Sequence, residues 1–169
     1  MNMKKISAAC ATAAALAALC VPGSAFAADG TLTLNAGDGS TLAGHSFAVY
    51  KLANYTDVVK DGANVKSVSA SSPDATTDAW VKAALNKNGV TYNTSEGRNA
   101  AEQLLRLKTN SDTLRKVAGT LQSTAASSKV AAVKTNQTSA TGSLNLTLPE
   151  GYYLVVAVSG YVNHHQKRR

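Results

Sequence analysis

Residues equipped for catalysis are few and badly spaced in this chain. Histidine occurs only at His45, His164 and His165. A Ser/His/Asp arrangement would have to use His45, which follows Gly44 in a glycine turn, and no nucleophile elbow accompanies it. His164 and His165 are adjacent, so they lack the i, i+4 spacing that aims two imidazoles at one metal ion. Gly37-Asp38-Gly39 lacks the third glycine and the Lys-Ser/Thr pair of a phosphate-cradling loop. The carboxylates are scattered, without the pairing that glycoside hydrolysis requires. Asn54, Asn93, Asn136 and Asn145 each begin an Asn-x-Ser/Thr triplet, a frequency that chance supplies in a chain rich in Asn and Thr. The expectation is a protein that is not an enzyme, with no catalytic, cofactor or metal residues and with His45 exposed in a turn.

With no reactive centre to position, the elements themselves carry the information. A length of 169 residues accommodates one domain plus a targeting segment and excludes a multidomain enzyme. Aromatic residues make up only 5%, which argues against a platform for stacking nucleic-acid bases. Residues 1–27 have the anatomy of a signal peptide. Lys4 and Lys5 form a positive start, Ile6 to Val21 is apolar, and Pro22-Gly23-Ser24 ends the helix-forming stretch before Ala25-Phe26-Ala27. The cut is expected between Ala27 and Ala28. The apolar run is shorter than the roughly 20 residues of a membrane span. Leu19 before Cys20 also departs from the Gly or Ala that lipid attachment prefers. Contact with a membrane is therefore expected only through this leader.

Loss of Lys4 and Lys5 lowers the formal charge from +7 to +5, and Lys167, Arg168 and Arg169 carry three of those charges. The remaining body is close to balanced, unlike an electrostatic nucleic-acid binder. Both cysteines, Cys10 and Cys20, lie in the leader. The exported part must then be stabilised by its core, a metal, a partner chain or a crosslink other than a disulfide.

Along residues 28–160, Thr31-Leu32-Thr33-Leu34 alternates in the manner of a half-buried strand, and Gly37-Asp38-Gly39-Ser40 turns the chain. Ser46 to Ala53 is apolar on both faces and reads as a central strand. Val58-Val59 and Val65 to Ser69 flank Lys60-Asp61-Gly62-Ala63, a hairpin signal. Thr76-Thr77-Asp78 can cap a first helix that buries Trp80, Val81, Ala84 and Leu85 and ends before Gly89. A second helix is expected over Gly97–Leu107. A third, capped by Ser111 or Asp112, presents Leu114, Val117, Ala118 and Leu121 as one stripe. Strands are expected again at Lys129–Val133, Leu144–Leu148 and Gly151–Ser159, the last an uninterrupted apolar run after a tight turn. The leading and trailing strands should close one sheet system, with the helices as a side layer.

Three segments in this order resemble the N-terminal domain of sortase-assembled pilin (fimbrial) subunits of Gram-positive bacteria. They are Gly30-Thr31-Leu32-Thr33-Leu34, Leu42-Ala43-Gly44-His45-Ser46-Phe47-Ala48-Val49-Tyr50-Lys51-Leu52-Ala53, and Leu148-Pro149-Glu150-Gly151-Tyr152-Tyr153-Leu154-Val155. The second is similar to that family's G-(R/H)-x-F-x-x-Y-K-(L/I) strand and the third to its L-P-x-G-Y-Y-L-V turn and strand. The resemblance implies a mainly β fold with a helical insertion, an immunoglobulin-like β-sandwich, incomplete at its C-terminal end. It implies a non-catalytic, structural or adhesive subunit exported to the cell surface or cell wall. The implied partners are other pilin subunits, the sortase that joins them, and ligands on host or neighbouring cells.

Leu148-Pro149-Glu150-Gly151 lacks the Thr of a sorting signal. Residues after Gly160 leave the family pattern, and 161–169 read as a solvated basic tail, so the expectation is a truncated gene product with an unpaired strand edge. Related domains often carry a Lys–Asn isopeptide bond. Here the first strand has no Lys and Val155–Val158 no acid, so no intramolecular isopeptide is expected, and Lys51 should hold its ammonium at the surface. The alternative is a secreted small binding module of another family that recognises carbohydrate or protein through its loops.

Overall fold

A computed structural model describes residues 8–10, 17–20, 29–37, 41–61, 64–91 and 99–158. The expected cleavage pair Ala27 and Ala28, the Asp38-Gly39-Ser40 turn, Gly62-Ala63, His164, His165 and the basic tail lie outside the described residues.

Among the described residues the fold is mixed α/β, with two sheets and three α-helices. The strands are β1 (Ala8–Cys10), β2 (Ala17–Cys20), β3 (Gly30–Ala36), β4 (Ser46–Asp61), β5 (Asn64–Ser71), β6 (Lys134–Thr138), β7 (Ser143–Leu148) and β8 (Tyr152–Val158). The helices α1 (Ala75–Lys87), α2 (Ala100–Arg106) and α3 (Asp112–Thr124) all fall between β5 and β6. The smaller sheet runs β1-β3-β7 and the larger β2-β8-β4-β5, with β6 pairing along β4 as well. Pairing is antiparallel except between β1 and β3.

Alternation sets the layers. In β3 and β7, Leu32, Leu34, Leu144, Leu146 and Leu148 point inward, while on the outer face Thr33 Oγ1 donates to Asn145 Oδ1 at 2.7 Å across the pair. β8 is buried on both faces from Tyr152 to Val156, as an unbroken apolar run must be when each face meets a layer. Tyr153 and Val155 join Phe47, Val49 and the leucines of β3 and β7 in a core between the sheets. Tyr152, Leu154 and Val156 face the helices, packing with Leu52, Val81, Leu85, Leu104, Val117 and Leu121. The molecule is thus three-layered: small sheet, large sheet, helices. The expected single sheet system is two sheets, because β3 pairs with β7 and β4 with β8.

β4 is one 16-residue strand where two segments were expected. It passes Asp57 at φ +35° with a register shift between Thr56 and Val59, so a bulge absorbs the irregularity and pairing resumes with β5. The hairpin is present, closing on the Asp61–Asn64 pair. The first helix begins earlier than Thr76-Thr77-Asp78 would place it: the Asp74 carboxylate accepts the Thr77 N–H at 2.7 Å and caps α1. Asn99 caps α2, which is shorter than expected, and also donates to the Ala70 carbonyl of β5 at 2.9 Å. Ser111 caps α3 as expected. Lys129–Val133 is not a strand. The strand there, β6, starts at Lys134 and has no apolar residue, since its place is fixed by the β4 backbone edge: Ser46 pairs with Thr138 and Val49 with Lys134.

Two pieces of the expected leader are strands rather than helix. Ala8–Cys10 pairs in parallel with Leu34–Ala36 of β3, and Ala17–Cys20 pairs antiparallel with Tyr153–Val156 of β8. Each fills the outer backbone edge of one sheet, where unmet N–H and C=O groups would otherwise face water.

Candidate functional site

The residues singled out by sequence gather unevenly. His45 follows Gly44, whose φ of +79° fits a turn, and is exposed, its N–H closing onto the Leu42 carbonyl at 3.1 Å. No hydroxyl nucleophile is paired with it among the described hydrogen bonds. The second and third motif segments, by contrast, lie side by side, because β4 and β8 are neighbours: Phe47 faces Ala157, Val49 faces Val155 and Lys51 faces Tyr153.

At the end of that pair, the turn Pro149-Glu150-Gly151 folds against Lys51. Register shifts between Lys51 and Ala53, so Leu52 is the extra residue of a bulge and Ala53 faces Tyr152. Gly151, at φ +155°, abuts this bulge. A Cβ there would come within 2.5 Å of the Ala53 carbonyl oxygen and of Lys51 Cε, so only glycine lets the backbones approach. The Tyr153 hydroxyl donates to the Pro149 carbonyl, locking the turn to the strand that follows.

Lys51 was expected at the surface and is in fact partly covered. Its Nζ sits 5.8 Å from the Tyr153 ring centroid, in reach of a cation–π contact. Burial lowers its pKa below the usual lysine value, opposed by the charge of Glu150. Burial pushes Tyr153 up to about 12, with Asp29 adding to the effect. Tyr55 is raised further, first by burial and then by Tyr152, Glu150 and Tyr153. The phenols therefore stay protonated at neutral pH, and the Tyr153 hydroxyl holds the turn to β8. Sequence reasoning missed this cluster because it depends on the bulge at Leu52; the adjacent Gly151-Tyr152-Tyr153 was the one local hint.

Among the described residues no group of three His, Cys, Asp or Glu could hold a metal ion, and no helix is long and apolar enough to cross a membrane. A shallow cavity of about 170 Å³ lies between β5 and α2, lined by Val68, Ser69, Glu102, Leu105 and Arg106. It is smaller than the roughly 300 Å³ from which small-molecule sites begin. Comparison with protein-family models, curated proteins and solved structures finds no match to the chain.

Proposed function

We propose that the chain is a non-catalytic structural or adhesive subunit, or a fragment of one, of a pilus on a Gram-positive cell surface, its two sheets arranged as an immunoglobulin-like sandwich with helices inserted between β5 and β6. One observation supports this reading above all. The Ser46–Ala53 and Tyr152–Val155 segments, which carry the strongest pilin-like motifs, are adjacent strands joined to a glycine turn that tolerates no side chain. A passive building block needs such a cross-braced sheet and no polar cleft, which agrees with an apolar interior whose one buried polar residue among those described is Thr77.

The test is cell-wall fractionation of the producing bacterium, probed with an antibody to residues 29–158. The expected result is a ladder of detergent-resistant, high-mass species that disappears when the sortase is deleted. A single low-mass species free in the medium, unchanged by that deletion, overturns the pilin reading in favour of a secreted binding module. The intact mass of the purified exported chain should equal that of residues 28–169. A deficit of about 17 Da, the ammonia released when a lysine attacks an asparagine amide, would reveal an internal crosslink.

A further inference from the structure

β5 ends the large sheet, and among the described residues it pairs with β4 alone. One contact fixes the direction of its outer backbone groups. The Ala70 carbonyl accepts from Asn99 Nδ2 at 2.9 Å, so the N–H and C=O of Ala70 point away from β4, toward α2. Alternate residues of a strand share that direction, which turns the Val68 N–H and carbonyl outward as well. Among the described residues nothing outside the strand bonds to either of these, nor to the Ala70 N–H. Beside the three groups lies the cavity of about 170 Å³, with Val68 and Ser69 on one wall and Glu102, Leu105 and Arg106 of α2 on the other. Too small for an ordinary free ligand, it is continuous with an unpaired strand edge. Glu102 and Arg106 are one helical turn apart, about 6 Å along the axis. Neither forms an ion pair among the described residues.

We propose that this edge docks an extended peptide, which adds to β5 as a parallel strand and sets an acid-x-base triplet against α2. The backbone selects the parallel sense. A peptide residue opposite Ser69 donates to the Val68 carbonyl and accepts from the Ala70 N–H, and the residue two before it accepts from the Val68 N–H. All three unmet groups are then used, and pairing stops at the Ala70 carbonyl, which Asn99 already holds. An antiparallel peptide would have to share that carbonyl. The charges select the order of residues. Because α2 starts beside Ala70, Glu102 comes before Arg106 on the way from Ala70 to Val68. Val68 and Ala70 face the helix layer, so the peptide residues on either side of the paired one face it too, about 6.8 Å apart. The first of them, acidic, meets Arg106; the second, basic, meets Glu102. Their methylene stems cover Val68 and Leu105.

The probe is a fluorescein-labelled peptide, Ser-Thr-Glu-Thr-Lys-Thr-Ser, titrated against the purified chain, with the charge-reversed Ser-Thr-Lys-Thr-Glu-Thr-Ser as its control. The first should bind about tenfold more tightly, since reversal sets like charges together. Its binding should slow hydrogen exchange at the Val68 and Ala70 amides and leave the β8 amides unchanged. Glu102→Arg combined with Arg106→Glu should invert the order of the two peptides. Should that variant fail to fold, the wild-type chain with both peptides still decides. Equal affinities, no binding at millimolar peptide, or protection on β8 instead of β5 overturns the proposal. So does a dimer of the chain that displaces the peptide, which would give the edge to a second copy.

Discussion

Between the sheets the buried side chains are almost all aliphatic, set by strict alternation in β3 and β7 and sealed by Phe47 and Tyr153. On the opposite face of β4 and β8, helices pack through alanines and leucines, and polar groups fix their positions. Trp80 Nε1 donates to Thr124 Oγ1 at 2.8 Å, Asn88 Nδ2 to Thr120 Oγ1 at 2.9 Å, and Tyr50 meets Trp80 edge to face with centroids 5.5 Å apart. The difference teaches how each layer is specified. Strand pairing registers the sheets through backbone bonds, so their core needs only volume. Helices laid on a sheet can slide and turn, so side-chain hydrogen bonds select one placement.

The comparison breaks first if the two cores are not independent. Leu34→Ala and Leu121→Ala, each fully buried on opposite faces, should cost about 3 kcal/mol apiece in urea unfolding. Their double variant should equal the sum to within about 0.5 kcal/mol, the additivity of separated sites. A larger coupling would mean that β4 and β8 transmit strain between the layers. Gly151→Ala attacks the bulge common to both and should cost about 2 kcal/mol through backbone strain and the clash with the Ala53 carbonyl. Thermal melting reads that loss. Trp80→Phe removes one donor from the helix layer alone. About 1 kcal/mol is expected, with the strand amides unchanged in hydrogen exchange.

An effect of similar size, about 1 kcal/mol at neutral pH, is expected for Asp74→Ala, which deletes the α1 cap. The sign of its pH dependence follows from the Thr77 N–H, which holds the Asp74 carboxyl below the usual carboxylate range. The carboxylate's contribution is complete above the ordinary Asp pKa and is lost as pH falls through the lowered value. The gap between wild type and variant should therefore shrink in acid, measured by urea titration at each pH.

The sheet core was legible in the sequence because Thr31–Leu34 and Leu144–Leu148 alternate, and that pattern commits each residue to a face whatever its neighbours do. The α3 stripe was equally plain. Elements whose position is dictated from outside were not legible. β6 reads Lys-Thr-Asn-Gln-Thr and exists because the edge of β4 needs a partner. The α1 start was misplaced because Asp74 and Thr76-Thr77-Asp78 are all competent caps, and only tertiary packing chooses among them. The leader strands carried no signal either, since alanine-rich sequence favours helix over strand. At the candidate site the turn and Gly151 were visible as a motif. The partial cover of Lys51 was not, because it depends on where one strand gains a residue against the other.

That gained residue has a consequence for how the chain can evolve. Up to Lys51, odd-numbered positions of β4 look toward the small sheet; past Leu52, Ala53 and Tyr55 look toward the helices instead. One bulge thus works as a phase inverter in the longest strand, letting its odd-numbered side chains serve the inter-sheet core before Leu52 and the helix layer after it. Deleting Leu52 would reverse the inversion, turning Tyr55 and its successors inside out, so insertions and deletions should be tolerated in the hairpin tip long before they are tolerated there.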